Sequence, residues 1–253
     1  TGRRCRGHSH VVTTADGAEL PLNWYAPTGS TPTGAGALYL HGGGMIYSLA
    51  ETAAMYDSAV RGYVAASGVP MLTVDYRVAP EHSHPTPVED CYAALCWLAE
   101  HAASLGVDPA RLAVAGDSAG GGLAAGVALL ARDRGGPALA LQLLIYPMLD
   151  DRSVGRHLDD TGHRLWNATS NRFGWQSYLG AADPEVAVPA RRTDLAGLPP
   201  AWLGVGTLDL FHDEDLAYAK IRLDERSLQT AIAHLRDISD PLARSLVWGA
   251  AWD

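Results

Sequence analysis

Leu112-Ala113-Val114-Ala115 runs directly into Gly116-Asp117-Ser118-Ala119-Gly120, and a Gly/Ala-rich stretch follows. An apolar run, a Gly-x-Ser-x-Gly pentapeptide and then a helix-forming segment make a strand, a tight turn and a helix, the setting of a nucleophile elbow. The bend exposes Ser118 Oγ, and the flanking glycines allow strand and helix to approach closely there. Gly, Ser and Ala are common residues, so a plain glycine-rich strand-to-helix turn is the competing explanation of this pentapeptide taken alone.

A second feature upstream decides between them. Gly36–Leu40 reads as a short buried strand that ends on His41-Gly42-Gly43-Gly44. Consecutive glycines after a strand leave backbone N–H groups free to point at a ligand. Such donors are what acyl transfer requires where negative charge develops on a carbonyl oxygen, and one of them is worth about 3 kcal/mol of barrier. Both motifs sit at strand ends. The expected donors are the amides of Gly42, Gly43 and Ala119, the residue after the serine.

The chain has 253 residues, 47% of them hydrophobic, enough for one α/β domain over 1–253 with a well-buried core. Its net charge of −9, with the only basic cluster at Arg3, Arg4 and Arg6, argues against nucleic acid or an anionic membrane surface as partner. The longest apolar stretches, Gly122–Ala131 and Ala138–Leu149, are shorter than the roughly 20 residues of a membrane span. No secretory signal is read at the start. Cys5, Cys91 and Cys96 do not form a disulfide framework, so a cytoplasmic, reducing setting is expected. Neither His8/His10 nor His82/His84 is accompanied by the Cys or carboxylate ligands that would complete a metal site, and no cofactor is expected. The sequon at Asn167 reads as chance.

Polar–apolar alternation in His10–Thr14 and Glu19–Tyr25 around Asp16-Gly17 predicts an opening hairpin. Strands then alternate with helices: Gly36–Leu40, a helix near Ala53–Ala66, Pro70–Asp75, a helix near Pro87–Leu105, Arg111–Ala115, a helix from Ser118 to about Arg134, and Ala140–Tyr146. That order implies a mostly parallel sheet with helices on both faces, with reactive groups on loops at the carboxyl ends of strands. Asp151–Pro189 breaks the alternation and reads as a small cap insertion. Its Trp166, Trp175 and Tyr178 are placed either to line a pocket or to pack the cap onto the sheet. The next strand is Ala201–Leu208. Asp209 at its end is the expected acid of a Ser–acid–His triad, whereas Asp213 and Glu214 suit a helix N-terminus.

With these residues in place the chain resembles the hormone-sensitive-lipase-like family of α/β-hydrolase esterases. The matching pieces are His41–Gly44, Asp75-Tyr-Arg-Val-Ala-Pro80, Gly116–Gly121, Tyr146-Pro147, and Gly206–Glu214 followed by Tyr218-Ala219. The resemblance implies that Ser118 is the nucleophile, that Gly42, Gly43 and Ala119 form an oxyanion hole, and that Asp209 is the triad acid. It also implies a small-molecule ester substrate, usually with a short acyl chain, and a homodimer as the candidate assembly. Met45 replaces the family's aromatic residue, Tyr47-Ser48 stands where a glycine is usual, and the amino-terminal cap helices have no counterpart.

The general base is the largest departure. After Asp209 the histidines are His212, only three residues on, and His234, which the pattern Leu228, Ala231, Ile232, Leu235 places on the polar face of a helix. Two explanations compete: a segment bearing the last strand and the catalytic histidine belongs between about Lys220 and Asp224, which is the expectation, or the gene product lacks it. Two further readings compete with the esterase. One is a non-catalytic small-molecule binding protein on the same scaffold. The other is a nucleotide fingerprint over Gly120–Ala125, which begins inside the helix and is better explained by helix–strand packing.

Overall fold

The structure, a computed structural model, describes residues 4–29, 33–155, 162–163 and 165–222. A hairpin opens it, β1 (Arg4–Thr13) and β2 (Glu19–Thr28), paired antiparallel from Arg4↔Thr28 to Thr13↔Glu19. The strands β3 (Gly36–Leu40), β4 (Met71–Val74), β5 (Leu112–Asp117), β6 (Leu141–Ile145) and β7 (Ala201–Gly204) follow. The sheet runs β1-β2-β4-β3-β5-β6-β7, parallel from β4 to β7.

Both faces of the centre are covered, which explains why β3 is buried at every position instead of alternating. Helix α1 (Leu49–Ser67) lies on one face, where Tyr56, Val60 and Val64 pack with Tyr25, Tyr39 and Ala115. Helices α2 (Thr86–His101) and α3 (Ala119–Asp133) cover the other, where Leu38, Leu40, Leu72 and Val114 meet Leu95, Leu98 and Leu123. The neighbours Leu38 and Tyr39 therefore enter different cores, as the two-residue strand period requires.

Among the described residues every expected strand and helix is present, β3 with the ends read for it and the others with shifted ends. Helix α1 starts at Leu49, earlier than the apolar spacing implied, because Ser48 and Glu51 form a reciprocal capping box. Strand β5 extends to Asp117, held by its pairing with Ile145. Strand β7 is shorter than read, stopping at Gly204, and a turn closed by Asp209 N–H to Gly206 O follows.

The insertion between β6 and β7 carries α4 (Ala168–Leu179) and a single turn, α5 (Pro184–Ala187). Asn167 caps α4 by accepting from Ser170 N–H, which accounts for that asparagine without glycosylation. Helix α6 (His212–Arg222) ends the described chain. The terminal helix read around His234, and that histidine, lie outside the described residues.

Candidate active site

Ser118 occupies the sharp turn between β5 and α3 with φ 53° and ψ −122°, a backbone conformation that costs a non-glycine residue energy. The turn is held by three backbone bonds, one to the end of β6, one to the loop after it and one to α3. Ser118 N–H donates to Ile145 O at 2.9 Å, while Ser118 O accepts from Met148 N–H at 2.8 Å and Gly122 N–H at 3.1 Å. The side chain is half-buried, open to the surface in part.

The glycines around it are required by contact. A Cβ on Gly116 would overlap the Gly120 carbonyl, one on Gly120 would overlap Leu40 O, and one on Gly122 would overlap Met148 O. Backbone therefore lies against backbone at this crossing. Close packing explains Gly120–Gly122 completely and leaves no nucleotide fingerprint to account for.

The same contacts bring the glycine loop to the serine. A Cβ on Gly42 would lie 3.0 Å from Asp117 O and 2.8 Å from Asp117 Oδ2. Gly43 (φ 118°), Gly44 (φ 62°) and Met45 (φ 63°) turn the chain through left-handed conformations, and Ile46 and Tyr47 N–H both close onto Gly43 O at 3.0 Å. Gly42 N–H, one of the expected oxyanion donors, is instead engaged within the protein. It donates to the Tyr56 hydroxyl at 2.7 Å. Gly43 and Ala119 N–H have no protein acceptor among the described residues.

The Asp75–Pro80 motif clamps this loop from below. Asp75 accepts from Leu49 N–H at 2.8 Å, and Tyr76 donates to His41 O at 2.8 Å while its ring stacks on His41 at 4.2 Å. Ala79 N–H reaches Met45 O at 2.9 Å. Arg77 grips Asp90 through two bonds of 2.7 and 2.9 Å and extends to Asp16 in the opening hairpin. These ties position the loop without touching a substrate. His41 is buried and donates from Nδ1 to Gly42 O at 2.7 Å; burial holds its pKa down to about 4, so it stays neutral.

Asp209 is half-buried in the turn after β7, with Oδ1 accepting from Phe211 N–H at 2.9 Å. Tyr146, which leaves β6 with φ 34°, has its phenol pushed up to about 12, first by burial and then by the charges of Asp117 and Asp209. It therefore stands within electrostatic reach of both the elbow and the late acid. No histidine nitrogen bonds to Ser118 or Asp209 among the described residues: His212 meets Asp213 at 3.0 Å, and His163 meets Leu208 O at 2.9 Å. Sequence reasoning had not considered His163, because it lies in the cap, before the acid.

Asp213 is exposed, as a helix start suggests, but Glu214 is not. It is buried and accepts from Leu149 N–H at 2.8 Å and Asp150 N–H at 3.2 Å, tying α6 to the loop after β6. Burial pushes its carboxyl up to about 7. Beside it, Asp215 is fully buried with neither oxygen hydrogen-bonded among the described residues, and its pKa rises further, through burial and then through Glu214 and Asp209.

The cap aromatics divide. Trp175 and Tyr178 are buried packing residues, meeting edge to face at 6.0 Å, with the Tyr178 hydroxyl 3.1 Å from His84 Nδ1. Trp166 instead lies on the glycine loop, so close that a Cβ on Gly44 would overlap its ring. It is oriented by its N–H to Asn171 Oδ1 at 3.2 Å. No metal-binding group of His, Cys, Asp or Glu is found among the described residues, and no described helix is long and apolar enough to cross a membrane.

A sequence profile described as the alpha/beta hydrolase fold matches residues 37–235. Esterase LipI of Mycobacterium tuberculosis is 38% identical over 189 residues, covering 73% of this chain and 58% of that protein. Ethyl acetate hydrolase of Pseudomonas putida is 35% identical over 250 residues, covering 92% and 74% respectively. The chain thus spans little more than half of the first relative and three quarters of the second. Among solved structures, a bacterial heroin esterase superposes with a TM-score of 0.77 at 34% identity over 98% of this chain and 84% of that one. The profile, the relatives, the strained serine and the adjoining glycine loop agree, and the chain belongs to the α/β-hydrolase family, in its hormone-sensitive-lipase-like branch.

Proposed function

We propose that the chain is a serine carboxylesterase acting on short-chain carboxylic esters. The observation that carries the proposal is a strained, half-exposed Ser118 whose neighbours Asp117 and Gly120 pack on the end of β3 and the glycine loop, with the Gly43 and Ala119 amides lacking a protein acceptor among the described residues. Ser118 Oγ attacks the ester carbonyl carbon, and the carbonyl electrons move to oxygen, where the Gly43 and Ala119 amides receive the charge. Collapse of that intermediate breaks the C–O bond and releases the alcohol. Water then attacks the acyl-enzyme, freeing the acid and restoring the serine. In this reading Asp209 orients the imidazole of the histidine expected from a segment between about Lys220 and Asp224, which takes the proton of Ser118 and then of water and passes each to the departing group.

Trp166 over Gly44 limits the room beside the amides, which supports small acyl groups; one relative is named as an ethyl acetate hydrolase. Three free cysteines support a reducing, cytoplasmic setting. The test is hydrolysis of p-nitrophenyl acetate by the purified protein. Turnover is expected, and Ser118→Ala should reduce it by at least about 10³-fold. A wild-type protein that binds such esters without turnover would defeat the proposal and restore the reading of a binding protein.

A further inference from the structure

We propose that Tyr56, on α1 and outside both reactive motifs, is a positioning residue that sets the glycine-loop amides in register with Ser118. Its hydroxyl has two partners. It accepts from Gly42 N–H at 2.7 Å and donates to Asp117 Oδ2 at 2.7 Å, while Tyr39 donates to Asp117 Oδ1 at 2.8 Å. Asp117 immediately precedes Ser118, and Gly42 immediately precedes Gly43. One hydroxyl therefore joins the segment carrying the nucleophile to the segment carrying a proposed oxyanion donor.

The junction is tight and buried. A Cβ on Gly42 would sit 2.8 Å from both Tyr56 Oη and Asp117 Oδ2, so the loop rests directly on the pair. Tyr56 is buried, between the rings of Tyr39 and His41. Hydrogen bonds in such surroundings hold geometry more firmly than exposed ones. Phenylalanine would fill the same space but leave Gly42 N–H and Asp117 Oδ2 without this partner, freeing the loop to move relative to the elbow. Tyr56 touches no reacting atom. Its influence would pass through the amides, which matter most once charge has developed on the substrate oxygen.

The inference rests on the esterase reading and is tested so that the two fail separately. Wild type and Tyr56→Phe are compared for p-nitrophenyl acetate kinetics, melting temperature and affinity for phenylboronic acid, which adds to Ser118 and presents an anionic oxygen to the same amides. The expected result is a kcat lower by about 10- to 100-fold with KM changed less than about twofold. Boronate affinity should weaken about tenfold or more in a variant that still melts cooperatively. Wild type that neither turns over nor binds boronate sinks the esterase reading itself. An active wild type with unchanged kcat and boronate affinity in Tyr56→Phe overturns the positioning role, as does a loss confined to KM. If Tyr56→Phe does not fold, Asp117→Asn weakens the other end of the bridge while keeping its shape. A wild-type kcat there overturns the proposal, and a kcat-only loss supports it.

Discussion

Each glycine at the elbow answers to a particular carbonyl. Gly120 faces Leu40 O and His41 O, the last strand residue of β3 and the first of the glycine loop. An added methyl has nowhere to go, because both opposing groups are backbone, Leu40 fixed by its pairing with Gly116 and His41 O held by the Tyr76 hydroxyl. Gly120→Ala is accordingly expected to cost about 3 kcal/mol, seen as a melting temperature lower by roughly 6–12 °C. Gly62→Ala is the matched control: its Cβ would meet nothing within 4 Å, so the helix gains a better former and stability should not fall. Equal losses at the two positions would show that the carbonyl contact is not what demands glycine at 120. The pentapeptide and the glycine run were legible in the sequence because each carries its own spacing. The engagement of Gly42 was not, since it depends on Tyr56 arriving from a helix that begins beyond the loop.

Elements are fastened to one another by buried polar groups that sequence reading placed on surfaces. Hydrophobic spacing located the strands and helices, and β3 matches its reading at both ends. The polar fasteners follow no period. Glu214 looked like a helix-dipole residue because it opens α6, yet it is the buried link between α6 and the loop after β6. Asp215 beside it makes no side-chain hydrogen bond among the described residues. Both carboxyls have folded pKa values above their unfolded ones, so the sign is that of groups favouring the protonated form. Their contribution is fully present below about pH 4 and is lost as pH rises, through about 7 for Glu214 and beyond it for Asp215. In that window each such group costs about 1.4 kcal/mol per pH unit. The melting temperature should therefore fall between about pH 5 and about pH 8. Asp215→Asn, which cannot ionise, should flatten that fall by about half and stabilise the protein at the upper end. A variant whose melting curve tracks wild type across the range would remove Asp215 from this account.

At the scale of the whole molecule, the esterase reading gives the sheet the chemistry and gives the insertion between β6 and β7 control of what reaches it. The sheet order brings the ends of β3 and β5 side by side, so the glycine loop and Ser118 meet without any contribution from the cap. Trp175 and Tyr178 anchor the cap, through packing and through His84 beside α2. Trp166 packs on the reactive loop, as does the Gly174 backbone of α4 against Gly44 O. Reading the sequence alone left lining and packing open for all three aromatics, because both uses call for the same residue types; only their neighbours separate them. Removing the indole should leave the sheet and the elbow intact and open space beside Gly44. Trp166→Ala is then expected to shift preference from p-nitrophenyl acetate toward the hexanoate, raising the hexanoate-to-acetate ratio of kcat/KM by about tenfold, a gain of roughly 1.4 kcal/mol from newly buried methylenes. Acetate kcat should change by less than about threefold, since the amides of Gly43 and Ala119 are untouched. If both esters slow equally, Trp166 acts by holding the glycine loop in place instead of by limiting acyl length, and the cap would be part of the catalytic framework itself.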